Sequence, residues 1–222
     1  MLRLRCKAQM ELLRLLGALV LTFSTASALT QQTPDFSGIW MPDSARSGGW
    51  PQEPPYTAAG RAAVASFHEN YPGKTYDPGS FCVFQGMPST MFGGGYWIEI
   101  IQRPERTTVV FELSKPPRRV YTDSRPHPED PFPTKNGHSI GHWEGSTLVI
   151  DTIGIATRVG PVPSSEATRI VERMSMELDG ALVNEMTIYD PTIFMEPVTV
   201  DRYYTRWSDE ELLEYECTDG PW

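Results

Sequence analysis

The chain contains four histidines. Two of them, His138 and His142, fall in the stretch Asn136-Gly137-His138-Ser139-Ile140-Gly141-His142-Trp143-Glu144-Gly145, which is followed by the apolar run Leu148-Val149-Ile150 and then Asp151. Read as two strands joined by a turn, side chains alternate between faces, so His138, Ile140 and His142 share one face and Ser139, Gly141 and Trp143 the other. A two-residue turn at Glu144-Gly145 pairs 142 with 147, 140 with 149 and 138 with 151. A four-residue turn shifts the partners and keeps the faces. Either way Asp151 projects with the histidines. A carboxylate beside an imidazole fixes its tautomer and raises its basicity, so His138 or His142 with Asp151 is a candidate general acid/base unit. A three-residue turn would reverse the relation. The alternative is a solvated outer wall, because Trp143, Leu148 and Ile150 make the opposite face apolar and a polar outer face is ordinary for a strand over a core.

A second group precedes it: Arg118-Arg119-Val120-Tyr121-Thr122-Asp123-Ser124-Arg125-Pro126-His127-Pro128. Tyr121 and Asp123 share a face by parity. Arg125 and His127 sit in a loop stiffened by Pro126, Pro128, Pro131 and Pro133, and stiff polar loops suit binding mouths. Tyr121 and Arg125 are suited to polarise a substrate oxygen, and Asp123 or His127 to help move a proton. The alternative is a rim loop whose Arg125 pairs with an acid. His127, His138, His142, Asp123 and Asp151 are the residue types of a two-His, one-carboxylate metal site. On a strand, however, His-x-x-x-His separates its ligands by about 13 Å at ~3.3 Å per residue, so no metal is expected. No cofactor is expected either, since nothing matches a phosphate loop, a dinucleotide fingerprint, a nucleophile elbow or a haem-binding cysteine pair. Phe81, Phe84, Met87, Met91, Phe92, Tyr96 and Trp97 surround Gly93-Gly94-Gly95 and read as a lid over a pocket or a plug in a barrel end. Tyr96, Trp97, Trp143 and His142 are candidate substrate contacts. Glu172 and Asn184 interrupt otherwise apolar positions, as interior polar groups or as signs of a bulged register.

The elements that must position these residues are mostly strands. Phe36–Trp40 reads as an opening strand. Thr57 caps one helix running to Glu69, with Val64 and Phe67 on one face. Residues 72–95 return to loop. Strands follow at 96–102, 107–113, 118–123, 138–143, 147–153, 167–178, 182–189, 197–207 and 211–217. The short connections imply antiparallel neighbours. A long run of hairpins twists and must dispose of its edges, which predicts an antiparallel up-and-down all-β barrel of the lipocalin or calycin kind, with one short helix near the N-terminus. A two-sheet sandwich is the alternative.

Pro34-Asp35-Phe36-Ser37-Gly38-Ile39-Trp40, Arg119–Asp123, Arg125-Pro126-His127-Pro128, Asn136–Gly145, Leu148–Thr152 and Leu212–Cys217 together resemble a family of secreted bacterial all-β proteins from proteobacteria and acidobacteria. The resemblance covers most of residues 29–222. It implies export and one all-β domain, and it implies no activity. Members of that family often carry Arg at the position of His142, which favours His138, Asp151, Asp123 and His127 as the catalytic group.

The N-terminus agrees with export. Arg3, Arg5, Lys7 and Arg14 precede or flank an apolar run, Leu15–Phe23, that is too short to span a bilayer, and Ala26-Ser27-Ala28 suits signal peptidase. The expected organisation is a signal peptide at 1–28 and one β-barrel domain at 29–222, periplasmic or secreted, with no membrane span after cleavage. Of three cysteines, Cys6 lies in the signal, leaving Cys82 and Cys217 to form one disulfide. The formal charge of −9 argues against nucleic acid as a partner. The reading is a small-molecule-binding barrel that is an enzyme, a lyase, isomerase or hydrolase working by acid/base catalysis on an apolar or carbonyl-containing substrate; the alternative is a non-catalytic carrier of an apolar ligand.

Overall fold

In a computed structural model, the described residues are 33–72, 86–92, 96–113, 116–158, 160, 162–207, 211–213 and 215. The segment at 1–28 expected to be a signal peptide, Phe81, Phe84, Gly93-Gly94-Gly95 and the expected Cys82–Cys217 pairing lie outside them, as does the side chain of Phe92.

Nine strands form a closed barrel in sequence order: β1 Gly38–Pro42, β2 Ile98–Arg103, β3 Arg106–Phe111, β4 Arg118–Tyr121, β5 His138–Glu144, β6 Thr147–Ile153, β7 Arg169–Met176, β8 Leu182–Tyr189 and β9 Val198–Trp207. β9 closes the barrel by pairing antiparallel with β1. Closure removes every sheet edge, which is how an all-β chain of this length avoids exposing a pairing surface. Of the strand expected at 211–217, the described residues 211–213 and 215 belong to no wall strand, and Tyr215 makes a parallel bridge to Leu113. Two helices occur among the described residues: α1 Ala58–Asn70 and the single turn α2 Ser89–Phe92. Thr57 caps α1, its hydroxyl oxygen accepting from the Gly60 amide at 3.0 Å, as its position before the alanine-rich run requires.

Alternation along the strands sends Trp40, Ile100, Val109, Leu148, Ile170 and Met186 inward, all almost fully buried. Met87 and Met91, from the segment around α2, enter the same core and act as a plug. The Met87 amide donates to the Lys135 carbonyl at 2.8 Å, and Arg158 reaches Ser89 Oγ at 3.1 Å. These contacts fix the plug at the end of the barrel where β6 leaves and β7 begins.

One pairing departs from the expected antiparallel order. β4 and β5 run parallel, joined by only two residue pairs, Val120↔Ser139 and Tyr121↔Ile140. A parallel connection needs a crossover, because a hairpin reverses direction. Residues 122–137 supply it as a proline-stiffened strap that travels back along the outside of the barrel. Thr134 bridges to Ile155, and the Thr134 amide donates to the Gly154 carbonyl at 3.0 Å. Gly154, at φ 66°, leaves room for Pro131; a Cβ there would sit 3.0 Å from the proline ring.

Candidate functional site

The hairpin of β5 and β6 turns at Gly145-Ser146, with Gly145 at φ 62°, so Glu144 pairs with Thr147, Ile140 with Asp151 and His138 with Ile153. This register differs by two residues from a turn at Glu144-Gly145, and an even shift preserves faces. His138, His142 and Asp151 therefore do share a face. That face is the outer wall: Ser139, Leu148, Ile150 and Thr152 are the buried set, as the apolar pattern allows. The acid/base residues do not point into the barrel.

The outer wall is not bare, because the strap covers part of it. His127, on the strap, lies against His138 with the two Nδ1 atoms 2.9 Å apart. One of these nitrogens must donate and the other accept. His127 Nε2 is buried without a hydrogen-bond partner and lies 3.8 Å from Asp151 Oδ2, while side-chain exposures of 16% and 27% keep both groups largely shielded. Asp151 is itself clamped by Arg169, whose Nε and Nη2 donate to its two oxygens at 2.9 Å each. The Tyr121 ring stacks on His138 at a centroid distance of 5.5 Å, and the Arg125 guanidinium lies 3.9 Å above the Tyr121 ring. Arg125 also forms a forked pair with Asp123, Nε donating to Oδ1 at 2.8 Å and Nη2 to Oδ2 at 2.5 Å.

The cluster gives its members different roles from those the sequence suggested. Asp151 faces His127 and Arg169, so it does not raise the basicity of His138. Burial, with help from neighbouring His127 and Arg125, holds the His138 pKa below the ordinary imidazole value of 6.5. Asp123 and Arg125 are committed to each other: the hydrogen bonds from Arg125 hold the Asp123 carboxyl below its usual range. They lock the strap's first turn, where Ser124 takes φ 64°, and are not free to act on a substrate oxygen.

Beside this cluster a surface cleft of about 390 Å³ opens along the β4–β5 seam. Its walls include Pro116, Pro117, Arg119, Tyr121, Asn136 and His138. With His138 Nδ1 engaged by His127, Nε2 is the ring nitrogen that His127 does not hold.

The remaining candidates lie elsewhere. His142 is exposed near the hairpin tip, 3.2 Å from Glu144. Trp143 points to the barrel interior and packs on Phe36 at 5.3 Å. Tyr96 meets Tyr215, and Trp97 meets Trp207. None of these four lines the cleft. No group of three or more metal-ligating side chains converges among the described residues.

Two residues were missed in the sequence. Arg169 was findable by parity, since it sits two residues before Val171, the partner of Asp151. Arg118 is the other. It is 1% exposed and forms a pair with Glu172, which is 0% exposed. Glu172 and Asn184 are thus interior polar groups in regular register, and an inward carboxylate signals an inward cation somewhere on the wall.

No family model matches the sequence, and no curated protein matches it. Among solved structures the barrel is similar to a point mutant of the fluorescent protein UnaG, with 17% identity over 78% of this chain and 97% of that one and a TM-score of 0.39.

Proposed function

We propose that this protein is an exported small-molecule-binding barrel whose cleft at the β4–β5 seam holds an apolar or carbonyl-containing substrate, and that His138 acts on it as a general base. The observation that carries the reading is the His127–His138 contact of 2.9 Å beside that cleft. Attraction to Asp151 favours the His127 tautomer protonated at Nε2. His127 Nδ1 then accepts from His138 Nδ1–H, and the lone pair of His138 is at Nε2, toward the cleft. The depressed pKa keeps that lone pair free at neutral pH. When His138 takes a proton at Nε2, its Nδ1 proton can pass to His127, whose new charge lies next to Asp151. Tyr121 stacks on the base and lines the cleft, so its hydroxyl is the group placed to donate to a substrate oxygen.

This chemistry suits an elimination, an isomerisation or a hydrolysis. Assaying a panel of enolisable ketones, lactones and small esters tests it. Against whichever compound turns over, His138→Ala should lower kcat by roughly 10²- to 10⁴-fold, the usual contribution of a positioned base. Turnover unaffected by that substitution would overturn the assignment. Compounds bound at the cleft with no turnover would instead favour the carrier reading.

A further inference from the structure

The barrel interior holds a polar network that the proposed reaction does not use. Arg118 donates from Nη1 to Glu172 Oε1 at 2.9 Å and from Nη2 to Oε2, and Nη2 also reaches Ser139 Oγ at 3.2 Å and Thr152 Oγ1 at 3.0 Å. Asn184 Nδ2 donates to Glu172 Oε1 at 2.9 Å. A carboxylate can only accept, so this bond fixes the amide's orientation and leaves Oδ1 as an acceptor. Arg118 Nε and Asn184 Oδ1 are both buried and both lack a hydrogen-bond partner.

An ion pair in an apolar core is a poor way to stabilise a fold, since well-packed apolar residues of similar volume do as well or better. A buried donor and a buried acceptor left open add a further cost. The open donor also has a definite direction. Glu172 takes the guanidinium end-on through Nη1 and Nη2. The Nε–H therefore lies on the edge it shares with Nη2, the edge turned toward Ser139 and Thr152. Ser139 belongs at once to this network and to the lining of the outer cleft. Between them runs the β4–β5 seam, closed by two residue pairs where β6 and β7 share five and β7 and β8 eight.

We infer that Arg118 is the centre of a second binding site, inside the barrel and reached through the β4–β5 seam, for a small neutral molecule bearing a carbonyl oxygen. The carbonyl accepts from Arg118 Nε–H. A neutral group suits this edge because a second carboxylate there would meet Glu172 at close range; another inward guanidinium, Arg202, enters from β9 opposite Asn184.

Protein labelled with ¹⁵N-arginine tests this directly, with δ-valerolactam as the neutral probe and cyclopentanecarboxylate as the anionic one. The lactam should shift the Arg118 Nε–H resonance and slow its exchange with water; the carboxylate should do neither. Because removing one charge alone endangers folding, the comparison uses the double substitution Arg118→Met with Glu172→Met. That variant, shown to be folded by its cooperative melt, should bind the lactam at least about tenfold more weakly, a difference of about 1.4 kcal/mol. Equal lactam binding by the double variant would overturn the inference. An Nε–H in contact with a long-lived water and indifferent to lactam would also overturn it. In uniformly ¹⁵N-labelled protein, lactam shifts confined to Tyr121 and His138 would overturn it too, while leaving the outer site intact.

Discussion

His138 Nδ1 is held by His127, and in the proposed mechanism Nε2 serves the cleft, so the titration of His138 is a readout of the site. In the folded state its pKa is depressed by burial and by His127 and Arg125, so the unfolded chain binds the proton more readily. Stability is therefore lost as pH falls below about 6.5, the unperturbed imidazole value, and continues to fall through the lower folded pKa. Above that window the residue contributes no slope. Urea midpoints measured at neutral and mildly acidic pH should show the loss, and His138→Asn should flatten it; an unchanged slope would mean that the imidazole is not buried as described. The pairing of His127 with His138 was not legible in the sequence. Parity placed His138 and Asp151 on one face, but which strap residue would land on them depends on how a crossover folds back over the wall, and no local pattern encodes that. His142 failed as a partner for a related reason: identical parity does not bring together two residues at opposite ends of one strand.

The strap is the element that builds the site, so its docking residues should control it. Gly137 lies at φ 68°, and a Cβ there would come within 2.6 Å of the Ile153 carbonyl oxygen. Gly137→Ala should therefore cost about 1–3 kcal/mol, seen in chemical unfolding, and should expose residues 125–135 to protease. Resistance to cleavage equal to that of the unsubstituted protein would show that the strap does not depend on this close approach. The hairpins, α1 and its Thr57 cap were readable because turn residues and alternation are local signals. The parallel seam was not. A proline-rich loop that reverses the chain and one that crosses over it have the same composition, and the strand expected at 118–123, which proves to end at Tyr121, carried no sign that the usual hairpin was missing.

Over the whole molecule, closure depends on a core that mixes apolar side chains with the buried pair of Arg118 and Glu172. Trp40, fully buried, should cost about 3–5 kcal/mol on truncation to Ala, measured by thermal or urea unfolding. Arg118→Met alone should cost a similar ~3–5 kcal/mol, because Glu172 would be left buried and unpaired, whereas Met at both positions should restore most of it. A double variant as unstable as the single one would show that the pair itself holds the barrel. The sequence announced a barrel through its run of strands, and flagged Glu172 and Asn184 as interruptions. It could not locate their cation, since Arg118 and Arg119 are adjacent and only the register of a short strand decides which one turns inward. The central claim, that His127 holds His138 as a neutral base facing the cleft, is tested most directly by long-range ¹H–¹⁵N spectra of the imidazole rings through a pH titration. His138 should titrate below the ordinary imidazole value, with Nδ1 protonated and Nε2 free at neutral pH, and its titration should move when His127 is replaced by Phe. A His138 that titrates at or above about 6.5 and ignores that replacement would contradict the account.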